Sequence, residues 1–288
     1  MLDDCLLVDA HVHVPVLGSV APAWLQWARD FGSAGVLEEF WDAGGRPDPA
    51  RLDALFAAEG VDVALLFCEY SPRVTGYQPF DDLLPIVEQN PARFRPVANV
   101  NPHLHFPVTR ELTRQLDLGA AALKLHPVHG GFPVDHPDLF PAYALLVERG
   151  VPLVVHCGTS SFPGSCDEFA DPRLLLPVLR LFPELNVVLA HGGRGWWYDA
   201  AAFLALSHDT VWLELSGLPP KRLPTYYAKY DLGRLASRWI FGTDWPGVPG
   251  TAANARAVAG LGLPDEVVPY VLGLNAAAVY SGIAVSGG

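Results

Sequence analysis

Apolar residues in this chain gather into short, nearly unbroken runs separated by Gly- and Pro-rich punctuation. Eight runs read as strands: CLLVDAHVH (5–13), VDVALLFCEY (61–70), FRPVANVNP (94–102), AAALKLHP (120–127), VPLVVHCG (151–158), NVVLAHGG (186–193), VWLELSG (211–217) and WIFGTDWP (239–246). Continuous rather than alternating hydrophobicity suits parallel strands buried on both faces. Between them lie helical segments, DPARLDALFAAEG (48–60), FDDLLPIVEQN (80–90), PDLFPAYALLVERG (137–150) and DPRLLLPVLRLF (171–182). Pro near their starts and Gly near their ends mark the boundaries. Eight strands alternating with helices predict a single α/β domain over 1–288, a (β/α)8 TIM barrel closed by right-handed crossovers. The exception is 14–48, a long excursion after strand 1. Its Trp24, Trp27, Phe40 and Trp41 predict a lid or a small packed insertion.

In such barrels the chemistry sits at the C-terminal ends of the strands. The residues there are His11 and His13, Glu69, Asn99 and Asn101, Lys124 and His126, His156, His191, Ser216 and Asp244. Burying such groups costs several kcal/mol each unless they are paired or ligated, so a ring of them around one mouth calls for a metal. Side chains at i and i+2 share a strand face, which aims His11 and His13 at one point. Asp9, two residues deeper on the same face, either orients a ligand imidazole or caps the barrel floor. Zinc binds imidazole nitrogens and keeps one position open in catalytic sites. His156 and Asp244 can supply further ligands.

Composition narrows the partners. There are 31 acidic against 19 basic residues, a formal charge of −12, so nucleic acid and anionic membranes would be approached against repulsion. Half the residues are hydrophobic, enough for a large core. No run reaches the ~18 apolar residues of a membrane span. The start, MLDDCLL, is acidic where a signal peptide is basic, and Cys5, Cys68, Cys157 and Cys166 form no CxxC pair. These features predict a cytoplasmic protein with reduced thiols. Cys157, beside His156 but on the opposite face, reads as packing.

The ordered set DAHVH, KLHP, VHCG, AHGG and GTDWP resembles the amidohydrolase superfamily. More narrowly, it resembles the branch of aminocarboxymuconate semialdehyde decarboxylase and aromatic acid decarboxylases, with hydrolases alongside. LGLNAAAVY (272–280) is similar to that branch's closing helix. The resemblance implies one divalent ion on His11, His13, His156 and Asp244, with Asp244 also moving protons and His191 holding the attacking water. Zinc fits these ligands best, and manganese or iron suits them too. Lys124 has three readings: an ammonium facing a substrate carboxylate, a carboxylated side chain bridging two metals, or a core lysine paired with Glu69 or another nearby acid. Arg194, before Trp196, Trp197 and Tyr198, reads as a carboxylate clamp or as a surface arginine stacked on a tryptophan. His126 reads as a substrate contact. His103, His105, His129, His136 and His208 lie in loop-like segments and receive no role. The resemblance also implies a homodimer or larger homo-oligomer acting on a small molecule.

These residues support hydrolysis of a lactone, ester or amide by a metal-activated water, with Asp244 carrying the proton. The alternative is non-oxidative decarboxylation of an unsaturated or aromatic acid, with Asp244 or His191 protonating the carbon. A third reading is a catalytically silent barrel that binds a ligand.

Overall fold

The structure is a computed structural model, and it describes residues 5–283; the acidic start at 1–4 lies outside them. Strands β1 (Val8–His13), β2 (Val63–Phe67), β5 (Phe94–Asn99), β6 (Leu123–Leu125), β7 (Leu153–Gly158), β8 (Val187–Arg194), β9 (Val211–Glu214) and β10 (Trp239–Ile240) form one parallel sheet in that order. Strands β3 (Glu69–Ser71) and β4 (Gly76–Gln78) make a separate hairpin above β2. The last strand returns to the first. Ala10 N donates to Phe241 O, His13 N to Trp245 O, and Asp244 N to His11 O. The predicted barrel therefore forms.

Two apolar layers build it. Val8, Val63, Leu65, Phe67, Val97, Val154, Val188 and Ile240 fill the interior, with Ala276, Val279 and Tyr280 of the C-terminal segment beneath them. The opposite strand faces, Ala64, Leu66, Leu123, Leu125, Val155 and Cys157 among them, pack with the outer helices. Cys157 thus points away from the mouth, as its position in the strand predicts.

Three local readings change. The segment 241–246 is irregular backbone, and β10 ends at Ile240. The helical segments at 80–90, 137–150 and 171–182 begin as 3-10 turns before Leu84–Gln89, Phe140–Arg149 and Leu176–Leu181. Pro85, Pro141 and Pro177 near those helix starts lack the N–H an interior turn would need. The closing segment is a π-helical turn, Tyr270–Leu274, followed by the helix Asn275–Val279.

The excursion carries the helices Pro22–Phe31 and Val36–Phe40. Trp24, Phe40 and Trp41 are buried. Trp41 stacks on Trp245 at 5.6 Å and donates its indole N–H to Pro15 O. Trp27 lies so close to Gly247 that any Cβ there would overlap its ring. The insertion is therefore packed onto the Asp244 loop. No helix among the described residues is long and apolar enough to cross a membrane.

Candidate active site

A bulge in β1 decides which side chains enter the mouth. The pairing with β2 runs Val8–Val63 and Asp9–Ala64, then resumes at Val12–Leu66 and His13–Phe67, with one extra residue in β1. An extra residue reverses the face of everything beyond it. Asp9 therefore faces the outer layer with Ala64, while His13 faces inward with Phe67. The shared face expected for Asp9, His11 and His13 does not form. Instead Asp9 accepts from Thr243 N (2.9 Å), Thr243 Oγ1 (2.7 Å) and Thr251 Oγ1 (3.2 Å), which pins the turn carrying Asp244. It touches no imidazole nitrogen, and burial pushes its carboxyl up to about 6.

Asp244 Oδ1 lies 3.4 Å from His13 Nε2 and 3.7 Å from His11 Nε2. His11 Nδ1 donates to Glu214 Oε2 at 2.8 Å, both groups fully buried, so its Nε2 lone pair points toward Asp244. His191 Nδ1 lies 3.0 Å from Ser216 O. Donation there turns Nε2 toward the cavity. The Ser216 hydroxyl donates to Glu214 at 2.8 Å and ties these two histidines to one carboxylate. His156 Nε2 donates to Gly158 O at 3.1 Å.

The atoms left over are informative. His11 Nε2, His13 Nδ1 and His156 Nδ1 are buried and have no hydrogen-bond partner. Unpaired buried nitrogens are costly, and His11 Nε2, unpaired and 3.7 Å from the Asp244 carboxylate with His13 Nε2 beside it, fits a bound cation. Burial holds His11, His126, His156 and His191 well below the usual imidazole range. They are neutral, the form that ligates. The nitrogens and oxygens cluster in two groups, His11–His13–Asp244 and His126–His129–His156. The structure thus gathers three of the four expected ligands. It places His156 opposite them, its ring 4.5 Å from that of His191.

Backbone strain marks the same residues. Among the described residues, the non-glycine positions with positive φ are His191 (66°) and Asp244 (79°). That region is costly for residues with a Cβ and persists where surrounding contacts enforce it, commonly at functional sites.

These groups open into a cavity of about 280 Å³. One wall carries His13, His156, His191 and Asp244, and the other carries Trp24, Trp27 and Phe162. Arg194 lines the cavity as well. Its Nε and Nη2 donate to Thr159 O, its Nη1 makes no bond among the described residues, and Trp196 is exposed to solvent. No stacking of Arg194 on a tryptophan forms. His126 lines the cavity with both ring nitrogens unbonded.

Lys124 does not line the cavity. Its ammonium is fully buried, has no hydrogen-bond partner and sits 4.8 Å over the Phe67 ring. A pairing with Glu69 is not made, because Glu69 accepts from Thr75 Oγ1 and His129 Nδ1 instead, and the nearby acid that attracts the ammonium most is Glu214. Burial lowers the Lys124 pKa and raises that of Glu214, and their mutual attraction opposes both shifts.

Sequence reasoning missed Glu214 and His129. A lone acid inside the apolar run VWLEL is the signal that could have found Glu214. His129, in the single turn Pro127–Gly130, is buried by tertiary packing that no local pattern shows. Glu214→Gln weakens the His11 anchor without opening a hole. Divalent-metal affinity should fall about 10- to 100-fold, read by competition with a chromogenic chelator.

The sequence matches the amidohydrolase family over residues 8–282. The chain belongs to that family. Solved structures share its barrel at low sequence identity. An uncharacterised TIM-barrel protein from Bordetella bronchiseptica is 20% identical, with 95% of this chain and 97% of that one covered and a TM-score of 0.75. A probable 2-pyrone-4,6-dicarboxylic acid hydrolase from Acinetobacter baumannii is 17% identical over 95% and 98%, TM-score 0.60. A 5-carboxyvanillate decarboxylase from Novosphingobium aromaticivorans, complexed with manganese, is 16% identical over 95% and 95%, TM-score 0.63. No curated protein matches the chain. The protein is an enzyme of the amidohydrolase family, and hydrolysis and decarboxylation both occur among these neighbours.

Proposed function

We propose that this amidohydrolase-family enzyme hydrolyses a small-molecule lactone, ester or amide with the help of one divalent ion, zinc by the chemistry of its ligands. The observation that carries the reading is the strained Asp244, whose carboxylate faces the nitrogens of His11 and His13. His11, His13 and Asp244 would hold the ion, with His156 as the fourth ligand. A bound divalent ion polarises a carbonyl and lowers the pKa of water to about 7. Asp244 takes the attacking water's proton and returns it to the leaving group. His191 holds the nucleophile or the developing oxyanion through the nitrogen that Ser216 leaves free. Arg194 and His126 contact the substrate. The enzyme acts as a homo-oligomer, as the resemblance implies, and light scattering measures its size.

The aromatic wall and the free Nη1 of Arg194 favour a second reading, decarboxylation of an aromatic acid with Asp244 or His191 protonating the ring carbon. A panel of lactones, esters, amides and aromatic acids, assayed before and after chelation, separates the two. Hydrolysis that stops on chelation and returns with added metal is expected. Carbon dioxide release without hydrolysis would replace the first reading by the second.

A further inference from the structure

The cavity holds a second set of groups, wired separately from the metal-facing wall. Ser160 Oγ lies 2.9 Å from His129 Nε2, and His129 Nδ1 lies 2.8 Å from Glu69 Oε1. Glu69 and His129 are buried, Ser160 is half-buried, and all three line the cavity. The carboxylate can only accept, so His129 Nδ1 carries a proton. In the neutral ring Nε2 is then the acceptor, and the Ser160 hydroxyl donates to it. Thr75 Oγ1 donates to the same Glu69 oxygen at 2.5 Å and holds it in place. The serine is also set from its own loop. Ser160 N donates to Asp167 Oδ1, while Phe162 N and Ser165 Oγ donate to Ser160 Oγ at 3.3 and 3.0 Å. Those two donors favour negative charge on that oxygen. The backbone N–H of Ser161 makes no hydrogen bond among the described residues. The N–H following a nucleophile is one that stabilises an oxyanion in acyl transfer. Trp27 and Phe162, with rings 6.0 Å apart, supply an apolar seat beside it.

We infer that Ser160, His129 and Glu69 form an acyl-transfer triad that works without metal, on small carboxylic esters whose flat apolar part rests on Trp27 and Phe162. Ser160 Oγ bonds to the ester carbonyl carbon as its proton passes to His129 Nε2. The carbon–alkoxide bond then breaks, and the alcohol leaves with that proton. Water adds to the acyl-serine, giving its proton to Nε2, and the carboxylic acid departs as Oγ recovers the proton. Glu69 keeps His129 in the accepting tautomer throughout and is a positioning residue. None of the proposed ligands His11, His13, His156 or Asp244 takes part, although His129 belongs to the second imidazole group with His156, so comparing chelated and untreated samples separates the triad from an ion held there.

The test is covalent. The full chain, with and without prior chelation, is treated with a fluorophosphonate and analysed by intact mass and peptide mapping. One adduct per chain on Ser160, formed equally fast in both samples, is expected, with none in Ser160→Ala. Labelling should slow at least about 100-fold in His129→Gln, the loss of a general base. In Glu69→Gln it should slow less, with the melting temperature of each variant checked alongside. A wild-type protein that stays unlabelled, or is labelled elsewhere, overturns the triad without needing any variant. So does a folded His129→Gln that labels at the wild-type rate.

Discussion

Asp244→Asn should leave a folded protein whose turnover falls about 1,000-fold, within the range for losing a general acid–base group. The fold should survive for a specific reason. Asp244 sits at φ 79°, and asparagine is among the few residues that visit the left-handed region readily. Its backbone N–H still reaches His11 O, and the Thr243–Asp9 bonds beside it are untouched. What the amide lacks is a basic oxygen to receive a proton. Steady-state kinetics on metal-replete protein, with a melting curve and metal content for each sample, isolates that loss. Normal turnover in Asp244→Asn would remove Asp244 from the proton pathway.

His13→Ala should lower metal affinity by more than the 10- to 100-fold typical of groups that only orient a ligand, so that desalted protein carries almost no ion. His13 faces inward beyond the β1 bulge, its Nε2 is 3.4 Å from Asp244, and its Nδ1 has no partner. Little else depends on the ring, so stability of the metal-free protein should change little. Elemental analysis after gel filtration reads the result. Unchanged metal content would place the ion elsewhere, and the second imidazole group, His126–His129–His156, would be the place to look.

Much of the barrel was legible because buried parallel strands write themselves as apolar runs, each closed by a polar residue at the mouth. The strand pattern placed His11, His13, Lys124, His156 and His191 on their strands, but it put Asp244 inside the last strand, which ends at Ile240 and leaves Asp244 on the loop beyond it. What it could not show was the extra residue in β1. Alternation predicts one face for Asp9, His11 and His13, yet the bulge turns Asp9 outward to clamp Thr243 and Thr251. Glu214 and His129 act through partners more than 50 residues away, His11 and Glu69, so no local spacing could announce them. The same holds for Lys124. Its strand position was clear, but its place beneath the cavity depends on the depth of β6 within the barrel.

His11, His13 and Asp244 are proposed to hold a divalent ion. The most direct test is the metal content of the purified chain by elemental analysis, before chelation and after chelation and reloading. About one divalent ion per chain, removed by chelator and restored by added metal, is the predicted result. A chain that holds no ion even after metal is returned would contradict it.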